Sequence, residues 1–161
     1  MDVPFIEQVK IQAQVLVPLL KALRAELGEA RANALVRKAL GGLYRKVGEE
    51  LWNARQGNLT EKMAPMMEIF ASGDALDYQM LQQTPDTYEF NITGCRYAQF
   101  YRELGEPELG FLLVCYQDVP MAEGFGPEVE FTRTQTIMQG ASHCDFRFKL
   151  KQAAEGKQRQ E

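Results

Sequence analysis

The groups of this sequence that can carry chemistry fall at four places. In "FLLVCYQD", Cys115 and Asp118 stand three residues apart, which puts a thiol and a carboxylate on one side of a helix. In "EFTRT", Arg133 offers a planar cation suited to a carboxylate. In "ASHCDFRF", His143, Cys144 and Asp145 follow one another, and His143 is the chain's sole histidine. In "FNITGC", Asn91 and Cys95 close a strand pattern and open a helix. An ionised thiol is a nucleophile, and a carboxylate or imidazole can take its proton or activate water. Thiols and carboxylates also ligate metals, so Cys115, Asp118 and Cys144 define a competing reading in which a metal-bound water attacks.

Strand alternation restricts which of these groups can meet. Cys144 shares a face with Phe146 and Phe148, while His143 and Asp145 point the other way with Arg147. A zinc site using both His143 and Cys144 is therefore disfavoured, unless a bulge re-aims one of them. If the apolar face packs against the Cys115 helix, then Cys115, Asp118 and Cys144 converge in the interior and His143 sits nearer solvent. Each group also has a structural reading. Cys115 lies among Phe111, Leu113 and Val114 and can be a small buried hydrophobe, and Cys144 likewise. Arg133 can serve as a cross-strand partner of Asp145 or Glu130. Gly-rich phosphate loops, HExxH, paired CxxC and nucleophile-elbow motifs do not occur.

The elements that must position these groups read as α+β. Val9, Ala13, Leu16, Leu20, Leu23 and Leu27 mark one face of a first helix, which Pro18 should kink and Gly28 should stop. Val36, Leu40, Leu43 and Val47 mark a second helix, weakened by Gly41 and Gly42. "GNLTEKMAPMMEIFASGD" predicts a third helix with Thr60 as N-cap. "LDYQML" and "TYEFNIT" predict strands joined by "TPD". "CRYAQFYRELGEPELGFLLVCYQD" predicts two helices broken at "LGEP", the second starting at Pro107. "GFGPEVEFTRTQTI" then enters a strand, "MQGAS" turns, and "HCDFRFKL" runs back. The result is an N-terminal helical hairpin and an antiparallel sheet packed against helices. One domain over residues 1–161 is expected, with the hairpin at 1–56, the α+β core at 74–150 and a polar tail at 151–161. The hairpin's stripe must be covered by the rest of the chain or by a second copy, which makes a homodimer through these helices an expectation.

Bulk properties exclude some classes. The 161 residues are 45% hydrophobic and 25% charged, as in ordinary globular proteins. A net charge of −4 argues against non-specific nucleic-acid binding, which needs a basic face. The N-terminus opens with Asp2 and Glu7 and its apolar run "VLVPLL" is short, so neither a signal peptide nor a membrane span is expected. Three cysteines without a disulfide framework point to reduced thiols in the cytoplasm.

Taken together, "EFNITGCRYAQFYRELGEPELGFLLVCYQD" and "EFTRTQTIMQGASHCDFRF" resemble the L-2-amino-thiazoline-4-carboxylic acid hydrolase family over residues from about Tyr88 to Phe148. The ordered set that carries the resemblance is Asn91, Cys95, "ELGEPELG", Cys115 with Asp118, Arg133, Gly140, Cys144 and Asp145. The resemblance implies hydrolytic opening of a cyclic, isothiourea-type amidine, a small-molecule substrate; no cofactor is expected. In that reading Cys115 is the nucleophile, with Cys144 as second choice for the role. Asp118 and Asp145 bind the amidinium or carry protons, Arg133 and Asn91 bind substrate, and His143 acts as acid–base only if its strand bends inward. The C-terminal pattern is also similar, more loosely, to the small-molecule-binding domain related to bacteriochlorophyll 4-vinyl reductase. That likeness implies a non-catalytic sensor as the alternative.

Overall fold

A computed structural model of the chain describes residues 3–152. The expected residues 153–161 of the polar tail lie outside the described residues. Helix α1 spans Phe5–Leu27 and α2 spans Glu29–Asn53. Between them Gly28 takes a positive φ of 82°, a conformation that favours glycine and reverses the chain. Pro18 sits inside α1 without ending it.

The inner face of α2 departs from the periodicity of its large residues. Leu43 is exposed, and the buried positions are Ala32, Gly41, Gly48 and Trp52. The reason is the neighbour: α2 crosses a short helix α6, Asp118–Gly124, at very close range. A Cβ on Gly48 would stand 2.0 Å from the Met121 carbonyl oxygen, and one on Gly124 would stand 2.1 Å from that of Arg45. Of the two glycines expected to weaken α2, a Cβ on Gly41 would reach Pro120 only at 3.9 Å and one on Gly42 would meet nothing within 4 Å. The close approach is made at Gly48 and Gly124, which let two backbones touch.

Helix α3, Leu59–Ala71, is capped by Asn58 and not by Thr60. The Asn58 side chain accepts from the Glu61 N–H at 3.0 Å and Glu61 accepts from the Asn58 N–H at 2.7 Å, a reciprocal capping box. Thr60 instead donates its hydroxyl to the Thr84 carbonyl in the β1–β2 turn. Strands β1, Leu76–Gln83, and β2, Thr87–Cys95, follow as expected. Helices α4, Arg96–Glu103, and α5, Pro107–Leu113, are broken at the expected place, with Pro107 opening α5.

Strand β3, Val129–Thr132, and strand β4, Cys144–Leu150, complete an antiparallel sheet of order β1-β2-β4-β3. The connection between β3 and β4 is longer than a glycine turn. It runs through a 3-10 turn at Ile137–Gln139 and reverses at left-handed Gly140. The register pairs Phe90 with Phe146 and Ile92 with Cys144, so these side chains share the inner face with Tyr88 and Phe148. The rings of Phe90 and Phe146 stack at 5.0 Å, and those of Phe131 and Phe148 at 4.6 Å. This aromatic floor supports the core under α3 and α6. Among the described residues no helix is long and apolar enough to cross a membrane.

Candidate functional site

Cys115 and Asp118 do not share one α-helix. Helix α5 ends at Leu113, the chain tightens into a 3-10 turn at Cys115–Gln117, and Asp118 opens α6. Because a 3-10 turn repeats every three residues, positions i and i+3 eclipse and the two groups still lie on one side. Buried Gln117 holds the turn by donating to the Leu112 carbonyl at 2.9 Å.

Arg133, just past the end of β3, reaches this turn. Its Nη1 donates to Asp118 Oδ2 at 2.5 Å and to the Cys115 carbonyl at 3.0 Å. Its guanidinium also lies 5.4 Å from the centroid of the Phe146 ring. The side chain is only 7% exposed, so the ion pair is shielded from solvent on the arginine side.

The pair lines a cavity of about 130 Å³ between the sheet and the helices. Tyr44, Cys95, Cys115, Thr136 and Cys144 stand among the polar and thiol groups of its wall. The rest is apolar and soft: Met63, Met66 and Met67 of α3 face Phe90, Phe125 and Phe146. Five of the sequence candidates, Cys95, Cys115, Asp118, Arg133 and Cys144, thus meet at one cavity.

The electrostatics of the wall follow from its burial. Burial raises the Asp118 carboxyl to about 6, although Arg133 pulls it down through its charge and hydrogen bond. The carboxyl keeps 28% of its side-chain surface accessible, and it lines the cavity. Burial, reinforced by the Asp118 charge, pushes the Cys115 thiol well above its ordinary value. Burial likewise raises Cys144 to about 11, against the opposing effect of the Ile137 N–H that donates to its sulfur at 3.2 Å. Cys95 is raised by burial too, while its sulfur accepts from the Ala98 N–H and caps α4. At neutral pH these groups are thiols, and Asp118 is the one wall carboxyl poised to exchange a proton.

The remaining sequence candidates lie elsewhere. Asn91 and Asp145 pair across β2 and β4 on the sheet face turned away from the cavity. Asn91 accepts from Arg147 Nη2 at 2.9 Å. Asp145 accepts from the Thr134 N–H at 2.9 Å, the Gln135 N–H at 3.0 Å and the Thr134 hydroxyl. His143 contacts the Ser142 hydroxyl at 2.8 Å and the Gln135 side chain, in the loop before β4. The strand does not bend to bring it inward. Alternation explains all three positions, because each is one residue out of phase with the inner face.

Asp145 ties down the loop that carries Arg133. Slight burial raises its carboxyl, but the donors from Thr134 and Gln135 outweigh that and hold it below the usual range. A lowered folded value means stability that is present above the unfolded value and is lost as pH falls through the folded one. Asp145→Asn is therefore expected to cost about 1 kcal/mol at neutral pH, discounted for solvent exposure. The deficit should shrink below about pH 4, where the unfolded carboxyl begins to protonate, as chemical denaturation across pH will show.

Tyr44 and the methionines of α3 were not singled out from the sequence. Tyr44 stands close enough to Asp118 that, after burial, the carboxylate's charge raises its phenol further. "KMAPMMEIF" carried a signal in its methionine density, yet a methionine face reads equally as ordinary core. Among the described residues no three His, Cys, Asp or Glu side chains are grouped so as to hold a metal ion.

The fold is similar to that of the phenol-responsive sensory domain of the transcription activator PoxR, solved in a crystal structure with phenol. The likeness has a TM-score of 0.51 at 16% identity, covering 84% of this chain and 72% of that one. No curated protein matches the sequence significantly. The model of the L-2-amino-thiazoline-4-carboxylic acid hydrolase family matches residues 8–148. That span takes in the helical hairpin, the sheet and every wall element of the cavity except the start of α1, and the chain belongs to that family.

Proposed function

We propose that the cavity binds one small, largely apolar ring molecule whose single polar group docks on the Asp118–Arg133 pair. The observation that carries this reading is a charge already answered at the end of an apolar chamber. The Arg133 charge is already paired with Asp118, so a ligand carboxylate would have to compete with that carboxylate for it. The volume of about 130 Å³ suits a single ring, since a cavity of ~150 Å³ takes benzene. Phenol, with which the PoxR sensory domain was crystallised, is a molecule of this kind.

A ligand hydroxyl would donate to the Asp118 carboxylate, so affinity should follow its ionisation. The folded value of about 6 is raised, hence the acceptor is present above pH 6 and lost below it. Calorimetric titration with phenol should show binding that strengthens from pH 5 to pH 7 with a midpoint near 6. Asp118→Asn should flatten that profile. Absence of binding at every pH would remove the reading.

Family membership favours a second reading, hydrolytic ring opening of 2-amino-thiazoline-4-carboxylate or a similar amidine. Asp118, near its midpoint at neutral pH, is suited to take a proton from attacking water or from the Cys115 thiol, and to return it to the leaving atom of the opened ring. Direct attack by Cys115 demands a proton transfer from a thiol held well above its ordinary value to a carboxyl near 6, which is steeply uphill. Attack by water therefore places the smaller demand on this site. Incubation with the amino-thiazoline should then give a product heavier by one water in mass spectrometry. Cys115→Ser should keep turnover within about tenfold if water attacks, and lose it if the thiol does.

A further inference from the structure

Three residues of the cavity wall carry a hydroxyl: Tyr44, Tyr97 and Thr136. Two of these hydroxyls are committed within the protein. Tyr97 donates to the Phe70 carbonyl at 2.8 Å. Thr136 donates to the Gln139 side-chain oxygen at 2.9 Å and accepts from the Gln139 N–H at 3.2 Å. The Tyr44 hydroxyl has no hydrogen-bond partner among the described residues; only burial and the Asp118 charge act on it. Nor is it sealed in by protein, because the one enclosed side-chain polar atom left without a partner there is Gln117 Oε1. Open space therefore lies beside an unused donor.

Helix α2 sets the position of that donor. Gly41, Tyr44 and Gly48 stand at i, i+3 and i+7 and so share one side of the helix. This is the side that crosses α6: a Cβ on Gly41 would stand 3.9 Å from Pro120, and one on Gly48 would stand 2.0 Å from the Met121 carbonyl oxygen. Tyr44 is thus held about one turn from each crossing contact, and α6 opens at Asp118. The phenol and the carboxylate are close enough for the charge of one to act on the other, yet no hydrogen bond joins them. A ligand atom can take the place between them.

We propose, resting on the reading of the cavity given above, that Tyr44 determines its specificity: its hydroxyl donates to the oxygen of a ligand hydroxyl whose own proton goes to Asp118. The ligand class narrows accordingly to aromatic alcohols. A hydroxyl presents a donor and a good acceptor on one atom. A ring amine can donate to Asp118, but its lone pair is drawn into the ring and accepts poorly from Tyr44. A hydrocarbon ring answers neither group.

Phenol and aniline, rings of nearly equal size and both neutral at pH 7.5, test this by calorimetric titration of the full chain. The wild type should prefer phenol by about tenfold, the worth of one added hydrogen bond. In Tyr44→Phe phenol should weaken by about tenfold and aniline by less than about twofold, so that the preference disappears. The melting temperature of Tyr44→Phe should not change, since its hydroxyl has no bond in the protein to lose. Tyr97→Phe removes a hydroxyl already given to Phe70 and should keep the preference for phenol, whatever it costs in stability. Phenol binding undiminished in Tyr44→Phe, or an equal fall for both ligands, would overturn the role of Tyr44 and leave the cavity reading standing. A wild type that binds neither ring would overturn both.

Discussion

Arg133→Met is expected to destabilise the protein by about 3–5 kcal/mol at pH 8, a large part of the ~5–15 kcal/mol that holds a domain folded. The side chain is 7% exposed and is the cation that answers Asp118. Without it, a carboxylate is left beside an apolar chamber, and the Cys115 carbonyl loses its donor. The sign of the pH dependence is fixed. Asp118 already has a raised folded value, so the proton it binds in the folded state stabilises at low pH, and that contribution fades as pH rises through about 6. Removing Arg133 raises the folded value further. The deficit should therefore be smallest near pH 5, where the carboxyl can protonate, and grow toward pH 8. Asp118→Leu in the Arg133→Met background should recover much of the loss, because an apolar pair can replace a buried ion pair at little cost. Urea denaturation of the four proteins at both pH values measures this. A single-variant deficit below about 1 kcal/mol at pH 8 would mean that the pair is effectively solvated.

Gly48→Ala should reverse the usual effect of alanine in a helix. In an open helical position the change gains up to about 1 kcal/mol, and Gly42→Ala, whose Cβ would meet nothing within 4 Å, should show that gain. At position 48 the new Cβ would stand 2.0 Å from the Met121 carbonyl oxygen and 2.9 Å from its carbon. Both are backbone atoms with no rotamer by which to yield. The expected loss is about 3 kcal/mol or more, at the upper end of overpacking costs. Helix α6 must retreat from α2, and α6 begins at Asp118. Ligand affinity should therefore fall along with melting temperature in Gly48→Ala, while in Gly42→Ala it should not. Equal melting temperatures for the two variants would contradict the close crossing.

The parts of this fold that could be read from the chain are those governed by strict periodicity. Tyr88, Phe90 and Ile92, and Cys144, Phe146 and Phe148, alternate with polar neighbours, and that period of two set both their inner face and the exile of His143 and Asp145. Pro107 and Gly28 marked helix ends because proline fixes a φ suited to a helix start and glycine alone readily takes the positive φ that reverses the chain. What escaped was decided by contacts distant in sequence. Leu43 looked like core by spacing, but α6 packs on Gly41 and Gly48 instead. Helix α6 itself, "DVPMAEG", is too short to show a period. The β3–β4 loop takes its shape from bonds that Asp145 makes to Thr134 and Gln135, for which no pattern exists. Cys115 and Asp118 were placed together for a helix that ends before them. The 3-10 turn kept them together because its repeat is three. Arg133 was read as a ligand clamp or a partner for Asp145 or Glu130; its partner is Asp118, beside the 3-10 turn that follows α5.

The reading of the cavity stands on its preference for a neutral ring over an anion. The most direct measurement is a paired calorimetric titration with a small neutral aromatic alcohol and with the corresponding ring carboxylate, at pH 7.5. One equivalent of the alcohol should bind, at least about 100-fold more tightly than the carboxylate, since a second anion beside Asp118 meets a cation that Asp118 already neutralises. Cys115→Leu, which fills the chamber, should abolish that binding. Tighter binding of the carboxylate, or binding of the alcohol undiminished in Cys115→Leu, would contradict it.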